Sequence, residues 1–326
     1  MARVKNDVQY VFIHPSWRGG WCWDKVVAIM RAWGREAHAP DGPGHGSRLQ
    51  EIENVTLADY PRVYTEYIEE NGLDRVVLVG NSIGGLMAQL TMQEIPDKVV
   101  HGIWYMGFVL ADGETLLDAC PPEFANIVPS ITDNRYPVPP HEIIRSRWMQ
   151  DMTAEAQTAD LARWQPQPMR SFTDAADLKR FYENPQVQAI PKSFINGVKD
   201  MTFDWKWRWA WDPRLSKRLG EFSYAEVPGA HCCFNCHPWR RPMLGSTRRS
   251  RHTGSMIGSG VRSAVGHAGA MYGLRRLIRL SISANRTLGK ATSEAPVTAP
   301  YPDAGTLFPR SVCRDNRIET LGEQPI

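Results

Sequence analysis

Three residues of the chain have the types and the order that acyl transfer requires. Ser82 lies in Gly80-Asn-Ser-Ile-Gly84, which fits the G-x-S-x-G pattern of a nucleophile held on a tight strand-to-helix turn. A serine nucleophile needs a base to accept its proton and a carboxylate to orient that base. Asp200 and His231 follow Ser82 along the chain in that order. The sequence therefore predicts Ser82 as nucleophile, Asp200 as acid and His231 as base.

The choice of acid leaves two alternatives open. Asp204 and Asp212 lie in the same segment as Asp200. We prefer Asp200 because it comes two residues after Val198, where the preceding strand is expected to end. His231 follows a Pro-Gly pair, which places it on a loop rather than in the core.

The elements that must position these residues are short apolar strands alternating with helices. Strands are predicted at residues 8–13, 35–39, 76–79, 99–106, 191–198 and 222–227, with helical patterns at 23–30 and 56–70, the latter capped by Thr56. Such alternation predicts an α/β fold with a mostly parallel, doubly wound sheet. Each catalytic candidate directly follows a strand, so one edge of the sheet can bring all three together.

The alternation breaks between residues 111 and 185, where prolines and short helical patterns dominate. The segment is too long for a loop and is interpreted as an inserted helical cap. We therefore expect a core in two parts, 1–110 and 186–238, a cap at 111–185, and a tail at 239–326. A tryptophan-rich helix is also expected between residue 205 and Leu219.

The negative charge that develops during acyl transfer needs hydrogen-bond donors. The amide of Ile83 is one candidate, and Ser16 supplies the other because Pro15 before it has no N–H. A substrate pocket is expected beneath the cap. Its predicted lining residues are Trp17, Trp104, Phe108, Trp148 and Trp164, although such side chains can equally pack the cap against the core.

Four stretches carry a resemblance to a known family: His14-Pro-Ser-Trp-Arg-Gly-Gly-Trp-Cys-Trp23, Ala39-Pro-Asp-Gly-Pro-Gly-His-Gly46, Gly80-Asn-Ser-Ile-Gly-Gly85 and Pro228-Gly-Ala-His231. In this order the chain resembles the α/β-hydrolases over about residues 8–238. It looks most like the branch of plant methylesterases, hydroxynitrile lyases and bacterial pyrethroid-hydrolysing carboxylesterases. The resemblance implies a serine esterase that needs neither cofactor nor metal and acts on a small-molecule ester. The apolar, tryptophan-rich cap indicates that this ester is hydrophobic or aromatic. It gives Ser82, His231, Asp200 and the oxyanion donors the roles already stated.

Three departures from the family pattern qualify this expectation. Pro15 stands where glycine is usual, and Asn81 replaces the usual histidine before the nucleophile. Hydroxynitrile lyases carry a lysine close after the catalytic histidine, whereas Cys232 and Cys233 follow it here, which argues against lyase chemistry. A small-molecule binding protein with negligible turnover remains the alternative, and the same residues can also serve C–C or amide hydrolysis.

Composition is ordinary for a globular enzyme, with 42% hydrophobic and 22% charged residues among 326. No apolar run approaches the roughly 20 residues of a membrane helix, and no export signal is evident. We therefore expect a cytoplasmic protein with reduced thiols and no membrane partner. Cys233-Phe-Asn-Cys-His237 matches a haem-attachment pattern and zinc binding is conceivable there, but buried cysteines are favoured.

The tail differs from the body in charge. Residues 239–326 carry 14 Lys and Arg against 5 Asp and Glu, which leaves 24 against 30 for residues 1–238. The acidic body gives no reason to expect nucleic-acid binding. The tail is either an arm for nucleic acid or an anionic surface, or the product of a reading frame that slipped after His231; we favour the second. Both predict a disordered tail that the catalytic centre does not use.

Overall fold

A computed structural model describes residues 8–120, 133–202 and 211–235 of the chain. Six strands of this described part form one sheet in which every pair is parallel. In chain order they are β1 Gln9–Ile13, β2 Ala37–His38, β3 Val76–Ser82, β4 Val99–Gly107, β7 Lys192–Gly197 and β8 Ser223–Val227, arranged β2-β1-β3-β4-β7-β8. Two further short strands, β5 Arg135–Tyr136 and β6 Gln167–Pro168, form a separate antiparallel pair.

The apolar strands lie in the interior of the sheet, where both of their faces are covered. Val76 to Val79 are completely buried, as a continuous apolar run in a parallel sheet requires. Helices α1 Asp24–Ala32, α2 Asp59–Glu70 and α3 Gly84–Glu94 connect the first four strands. Residues 84–93 of α3 are all buried, so this helix lies inside the molecule rather than on its surface.

The position of the site follows from the strand order. From β1 the chain moves outward to β2 and then returns to the other side of β1 to form β3. Loops leaving the carboxyl ends of β1 and β3 therefore diverge and leave a crevice between them. Ile13 pairs with Gly80 at this edge, so the loop after β1 begins beside Ser82.

The described parts of the predicted cap segment contain short helices and the β5–β6 pair. The helices are α4 Leu116–Ala119, α5 His141–Arg147, α6 Ala154–Leu161, α7 Arg170–Thr173 and α8 Lys179–Glu183, followed by α9 Pro185–Ala189. The sequence prediction of an α/β fold with a mostly parallel sheet is confirmed. The division of the chain at residues 110, 185 and 238 stays a prediction.

Two predicted elements differ in detail. Helix α2 begins at Asp59 rather than after Thr56, because the N–H groups of Asp59 and Tyr60 bond three residues back, to the Thr56 and Leu57 carbonyls, and form a turn before the helix. The Thr56 N–H and hydroxyl both donate to the Asp59 carboxylate, at 2.9 and 2.8 Å. Most of the predicted tryptophan-rich helix lies outside the described residues. Its described remainder is a wide turn at Trp211–Leu215 followed by α10 Ser216–Leu219.

The predicted tail, residues 239–326, also lies outside the described residues. Within the described ranges, no helix is long and apolar enough to cross a membrane.

Candidate active site

The turn around Ser82 has the strained backbone that the G-x-S-x-G pattern predicts. Ser82 has φ of 55°, in the left-handed region that side chains disfavour. A Cβ on Gly80 would lie 2.1 Å from the carbonyl oxygen of Gly84, and one on Gly84 would lie 2.7 Å from that of Ile13. Both glycines are therefore required by close backbone contacts, and these contacts hold Ser82 in its conformation.

Asp200 and His231 form a buried hydrogen-bonded pair. The Nδ1 of His231 lies 3.0 Å from Oδ2 of Asp200, and Oδ1 accepts a hydrogen bond from the Thr202 N–H at 2.8 Å. An ionised carboxylate only accepts, so Nδ1 carries the proton and Nε2 is left as the basic nitrogen. Of the rival acids, Asp212 accepts from the Ser216 hydroxyl instead, and Asp204 lies outside the described residues.

Ser82, His231 and Ser16 line one cavity with about 520 Å³ of empty space, part of it open to solvent. Four of the five predicted aromatic residues also line it: Trp17, Phe108, Trp148 and Trp164. The indoles of Trp17, Trp148 and Trp164 are nearly parallel, with centroids 5.7–6.4 Å apart. The cavity therefore joins the candidate nucleophile and base to an apolar aromatic wall.

Trp104 does not line this cavity, so its predicted place in the pocket is corrected. Its ring is fully buried and its Nε1–H donates to the Gly85 carbonyl at 3.0 Å. The edge of Phe181 contacts it as well. Trp104 therefore packs β4 against helix α3, which is the alternative role considered for these aromatic residues.

A buried ion pair in the cavity wall was not predicted from the sequence. Arg18 lines the cavity, and its Nη2 lies 2.5 Å from Oδ2 of Asp160 on helix α6. The guanidinium also lies 4.7 Å from the ring centre of Trp164, whose Nε1–H donates to the same carboxylate at 2.9 Å. An arginine in a glycine-rich loop looks like a surface residue, and Asp160 is 142 residues away, so the sequence carried no signal for this pair.

Other lining residues were also missing from the sequence prediction. They are Pro15, Leu116, Cys120, Thr202 and Cys232, and the cap residue Phe172 lines the cavity as well. Most are apolar and close the cavity around the aromatic wall. Thr202 is found there because its N–H bonds to Asp200.

The loop after β1 orients the Ser16 peptide. The Nε2 of His14 accepts from the Gly42 N–H at 3.0 Å, so Nδ1 is the donor, 3.0 Å from the Pro15 carbonyl oxygen. In a trans peptide the C=O and the following N–H point in opposite directions. The Ser16 N–H therefore points away from the His14 ring. The other candidate donor, the Ile83 N–H, lies at the start of helix α3, where no intrahelical acceptor is available.

The remaining chemical candidates are buried in packing contacts. His45 is fully buried, with Nε2 3.0 Å from the Tyr60 hydroxyl. Cys232 and Cys233 are also buried, and burial raises the pKa of the Cys232 thiol to about 12. Cys236 and His237 lie outside the described residues. Among the residues that are described, no group of three or more His, Cys, Asp or Glu side chains could hold a metal ion.

Comparison with known sequences identifies relatives over part of their length. A carbendazim-hydrolysing esterase from Nocardioides sp. (strain SG-4G) is 34% identical over 119 residues, which cover 35% of this chain and 49% of that protein. Salicylic acid-binding protein 2 of Nicotiana tabacum is 32% identical over 108 residues, covering 32% and 42%. The chain thus matches less than half the length of these two curated relatives.

Comparison with solved structures extends the likeness over most of the described fold. An extracellular α/β-hydrolase from a Paenibacillus species superposes with a TM-score of 0.63 at 25% identity, covering 69% of this chain and 91% of that one. The methylesterase MES16 from Arabidopsis gives a TM-score of 0.57 at 23% identity, covering 70% and 92%. The family model of the alpha/beta hydrolases matches residues 10–244. With its strained serine turn, parallel sheet and this match, the chain belongs to the alpha/beta hydrolase family.

Proposed function

We propose that the protein hydrolyses carboxylic esters through an acyl-enzyme formed on Ser82. The observation that carries the proposal is the Asp200–His231 hydrogen bond of 3.0 Å, because His231 lines the same cavity as the strained Ser82. A serine on a tight turn beside an oriented imidazole has the parts that activate a hydroxyl as a nucleophile. The esterase names of several relatives support ester hydrolysis within this family.

In the proposed reaction, the Ser82 hydroxyl attacks the ester carbonyl carbon while Nε2 of His231 takes its proton. Asp200 holds the imidazole in the required tautomer and stabilises the imidazolium that forms. The N–H groups of Ser16 and Ile83 donate to the oxygen that becomes negative. His231 then protonates the departing alcohol and activates a water molecule, which releases the acid and regenerates Ser82.

The proposed substrate is an ester with a hydrophobic or aromatic portion. Parallel indoles offer flat apolar surface, on which an aromatic ring gains burial and stacking energy. Arg18 and Asp160 bring charge to this wall region, and they are paired with each other. Because Arg18 and Asp160 neutralise each other, this pair does not favour a substrate with a net charge.

A binding protein with negligible turnover is the second candidate, since the tobacco relative is named for binding. The two are separated by p-nitrophenyl acetate and p-nitrophenyl butyrate assays on wild type, Ser82→Ala and Ser146→Ala. Ser146 is exposed and donates to a backbone carbonyl of its own helix, so its loss controls for removal of a serine hydroxyl.

If the protein is an esterase, wild type and Ser146→Ala should both hydrolyse these esters, and the kcat of Ser82→Ala should be lower by several orders of magnitude. A fluorophosphonate probe should label wild type and Ser146→Ala but not Ser82→Ala. Equal slow hydrolysis by all three proteins would instead favour the binding role.

A further inference from the structure

The residue after the candidate oxyanion donor Ser16 has an unfavourable backbone conformation. Trp17 has φ of 59°, in the left-handed region, although it is a bulky residue. Such a conformation persists only where surrounding contacts determine it. The position of the Ser16 peptide therefore depends on whatever holds Trp17.

Both backbone polar groups of Trp17 are held by residues of the predicted cap. Its N–H donates to Oε1 of Gln167 at 2.9 Å, and its C=O accepts from the Gln165 N–H at 3.0 Å. The next residue, Arg18, is paired with Asp160 of the same segment. Consecutive residues of the loop after β1 are thus fixed by cap residues far away in sequence.

The amide of Gln167 is itself oriented. Its side chain is fully buried, and its Nε2 lies 2.8 Å from the Ser171 hydroxyl and 3.2 Å from that of Tyr60. The Ser171 hydroxyl donates to the Pro168 carbonyl at 2.7 Å, so towards Gln167 it can only accept. Gln167 must therefore present its NH₂ group to Ser171, which directs its oxygen to the Trp17 N–H.

The same hydrogen bond decides which amide of the loop is available to substrate. Because the Trp17 N–H is engaged by Gln167, it cannot serve the oxyanion, and the Ser16 N–H remains the donor from this loop. Its carbonyl side is already fixed by His14 through Pro15. The Ser16 peptide is thus bounded on one side by the core and on the other by the cap.

We propose that Gln167 is a positioning residue for the oxyanion site, so that docking of the cap aligns the Ser16 amide for the transition state. The inference rests on the proposed ester hydrolysis. Its consequence is specific: loss of the Gln167 oxygen should weaken stabilisation of the transition state and leave binding of the ester largely unchanged.

The test compares full-length Gln167→Met with Gln93→Met. Gln93 is a matched control: it is buried, its Oε1 accepts from the Phe181 N–H at 2.9 Å, and its Nε2 donates to the Asp177 carbonyl at 2.8 Å. It does not line the cavity. Each variant loses one hydrogen bond accepted from a backbone N–H and at least one donated by the side-chain amide, so each should show a fall in Tm.

We expect Gln167→Met to lower kcat for p-nitrophenyl butyrate about tenfold to hundredfold, with KM changed less than about threefold. Affinity for a phenylboronic acid, which forms a tetrahedral adduct on serine, should fall by the same factor as kcat. Gln93→Met should keep both values near those of wild type. Gln167→Glu retains an oxygen for the Trp17 N–H, and its second oxygen can accept from the Ser171 and Tyr60 hydroxyls once these rotate to donate. This variant should therefore recover part of the lost kcat.

The inference is overturned if folded Gln167→Met keeps the kcat of Gln93→Met, or if its KM rises while kcat is unchanged. If Gln167→Met does not fold, the test rests on Gln167→Glu. A kcat of Gln167→Glu that is tenfold to hundredfold below that of wild type, with KM unchanged, would contradict the proposal. Absence of turnover by wild type would instead refute the ester hydrolysis on which the inference depends.

Discussion

His231 and Asp200 meet through a 3.0 Å hydrogen bond although 31 residues separate them in the chain. The strands that precede them, β7 and β8, are neighbours in the sheet, and Gly197 pairs with Val227 at their carboxyl ends. The two loops that follow therefore start side by side, and each needs only a few residues to bring its side chain to the other. Parallel pairing of the strands is thus what creates the contact.

The first prediction is that Asp200→Asn lowers kcat far more than Asp204→Asn. An asparagine cannot hold the imidazole in the tautomer that leaves Nε2 basic, and such a change costs about 10⁴ in kcat in a serine protease. Ester hydrolysis by the two purified variants at pH 7 provides the measurement. His231→Ala serves as the reference for complete loss of the base, and circular dichroism checks that each variant is folded.

The reverse ranking would assign the acid to Asp204. Activity of His231→Ala near that of wild type would show that the triad as a whole is wrongly assigned.

The nucleophile turn could be predicted because its requirements are local. Gly80 and Gly84 are separated by a fixed number of residues, and their contacts are with the backbone of the same turn and the adjacent strand. The order of strands and helices was also evident from short apolar runs. Asp200 was favoured from the sequence alone, but only the structure brings its carboxylate to His231.

Contacts between the cap and the loop after β1 could not be predicted. Gln167 meets Trp17 across 150 residues, and Arg18 meets Asp160 across 142. Neither a glutamine in a two-residue strand nor an aspartate in a short helix carries a periodic signal of such a partner. Trp104 was wrongly placed in the pocket because residue type alone does not say which face of β4 a side chain occupies.

A second prediction concerns the glycine that makes the turn possible. Gly80→Ala would place a methyl group 2.1 Å from a backbone oxygen of Gly84, where neither partner can move without disrupting β3 or α3. We expect a loss of about 3 kcal/mol or more in the free energy of unfolding, measured by urea denaturation. Ester hydrolysis should be abolished in any fraction that folds.

Gly113→Ala is the control for an added methyl group that meets no close neighbour, and it is a stringent one because Gly113 also carries a left-handed backbone penalty that Gly80 does not. Gly113 has φ of 76°, and among the described residues no atom lies within 4 Å of the position that an alanine methyl group would take. Alanine there should therefore cost only about 1–2 kcal/mol. Equal urea midpoints for the two variants would show that the close contact at Gly80 is not a constraint.

A third prediction concerns the basic tail. The family match ends at residue 244, and the described residues that line the cavity all lie between 15 and 232. A chain ending at Gly260 should therefore keep the kcat/KM of the full-length protein for p-nitrophenyl butyrate, although its solubility should be lower. Loss of activity on truncation, or limited proteolysis that leaves residues 239–326 uncut, would show that the tail is part of the fold.

The last prediction is a loss of stability in mild acid that depends on His101. Its imidazole is buried on β4, with Nε2 2.8 Å from the Ser193 hydroxyl, and burial lowers its pKa to about 4 from 6.5. Below pH 6.5 the His101 imidazole is therefore protonated in the unfolded chain, whereas in the folded chain it stays neutral down to about pH 4. The contribution of neutral His101 to the free energy of unfolding is fully present above pH 6.5. It is lost as the pH falls towards 4, by up to about 3 kcal/mol.

Burial also lowers the pKa values of His14 and His45, so the same acid window acts on them. His101→Gln should flatten the dependence of the unfolding free energy on pH between 6.5 and 4, measured by urea titrations at several pH values. His141→Gln is the control, because that exposed imidazole contacts water in both states and its removal should leave the curve unchanged. A His101→Gln curve as steep as that of wild type would show that protonation of His101 does not limit stability in acid.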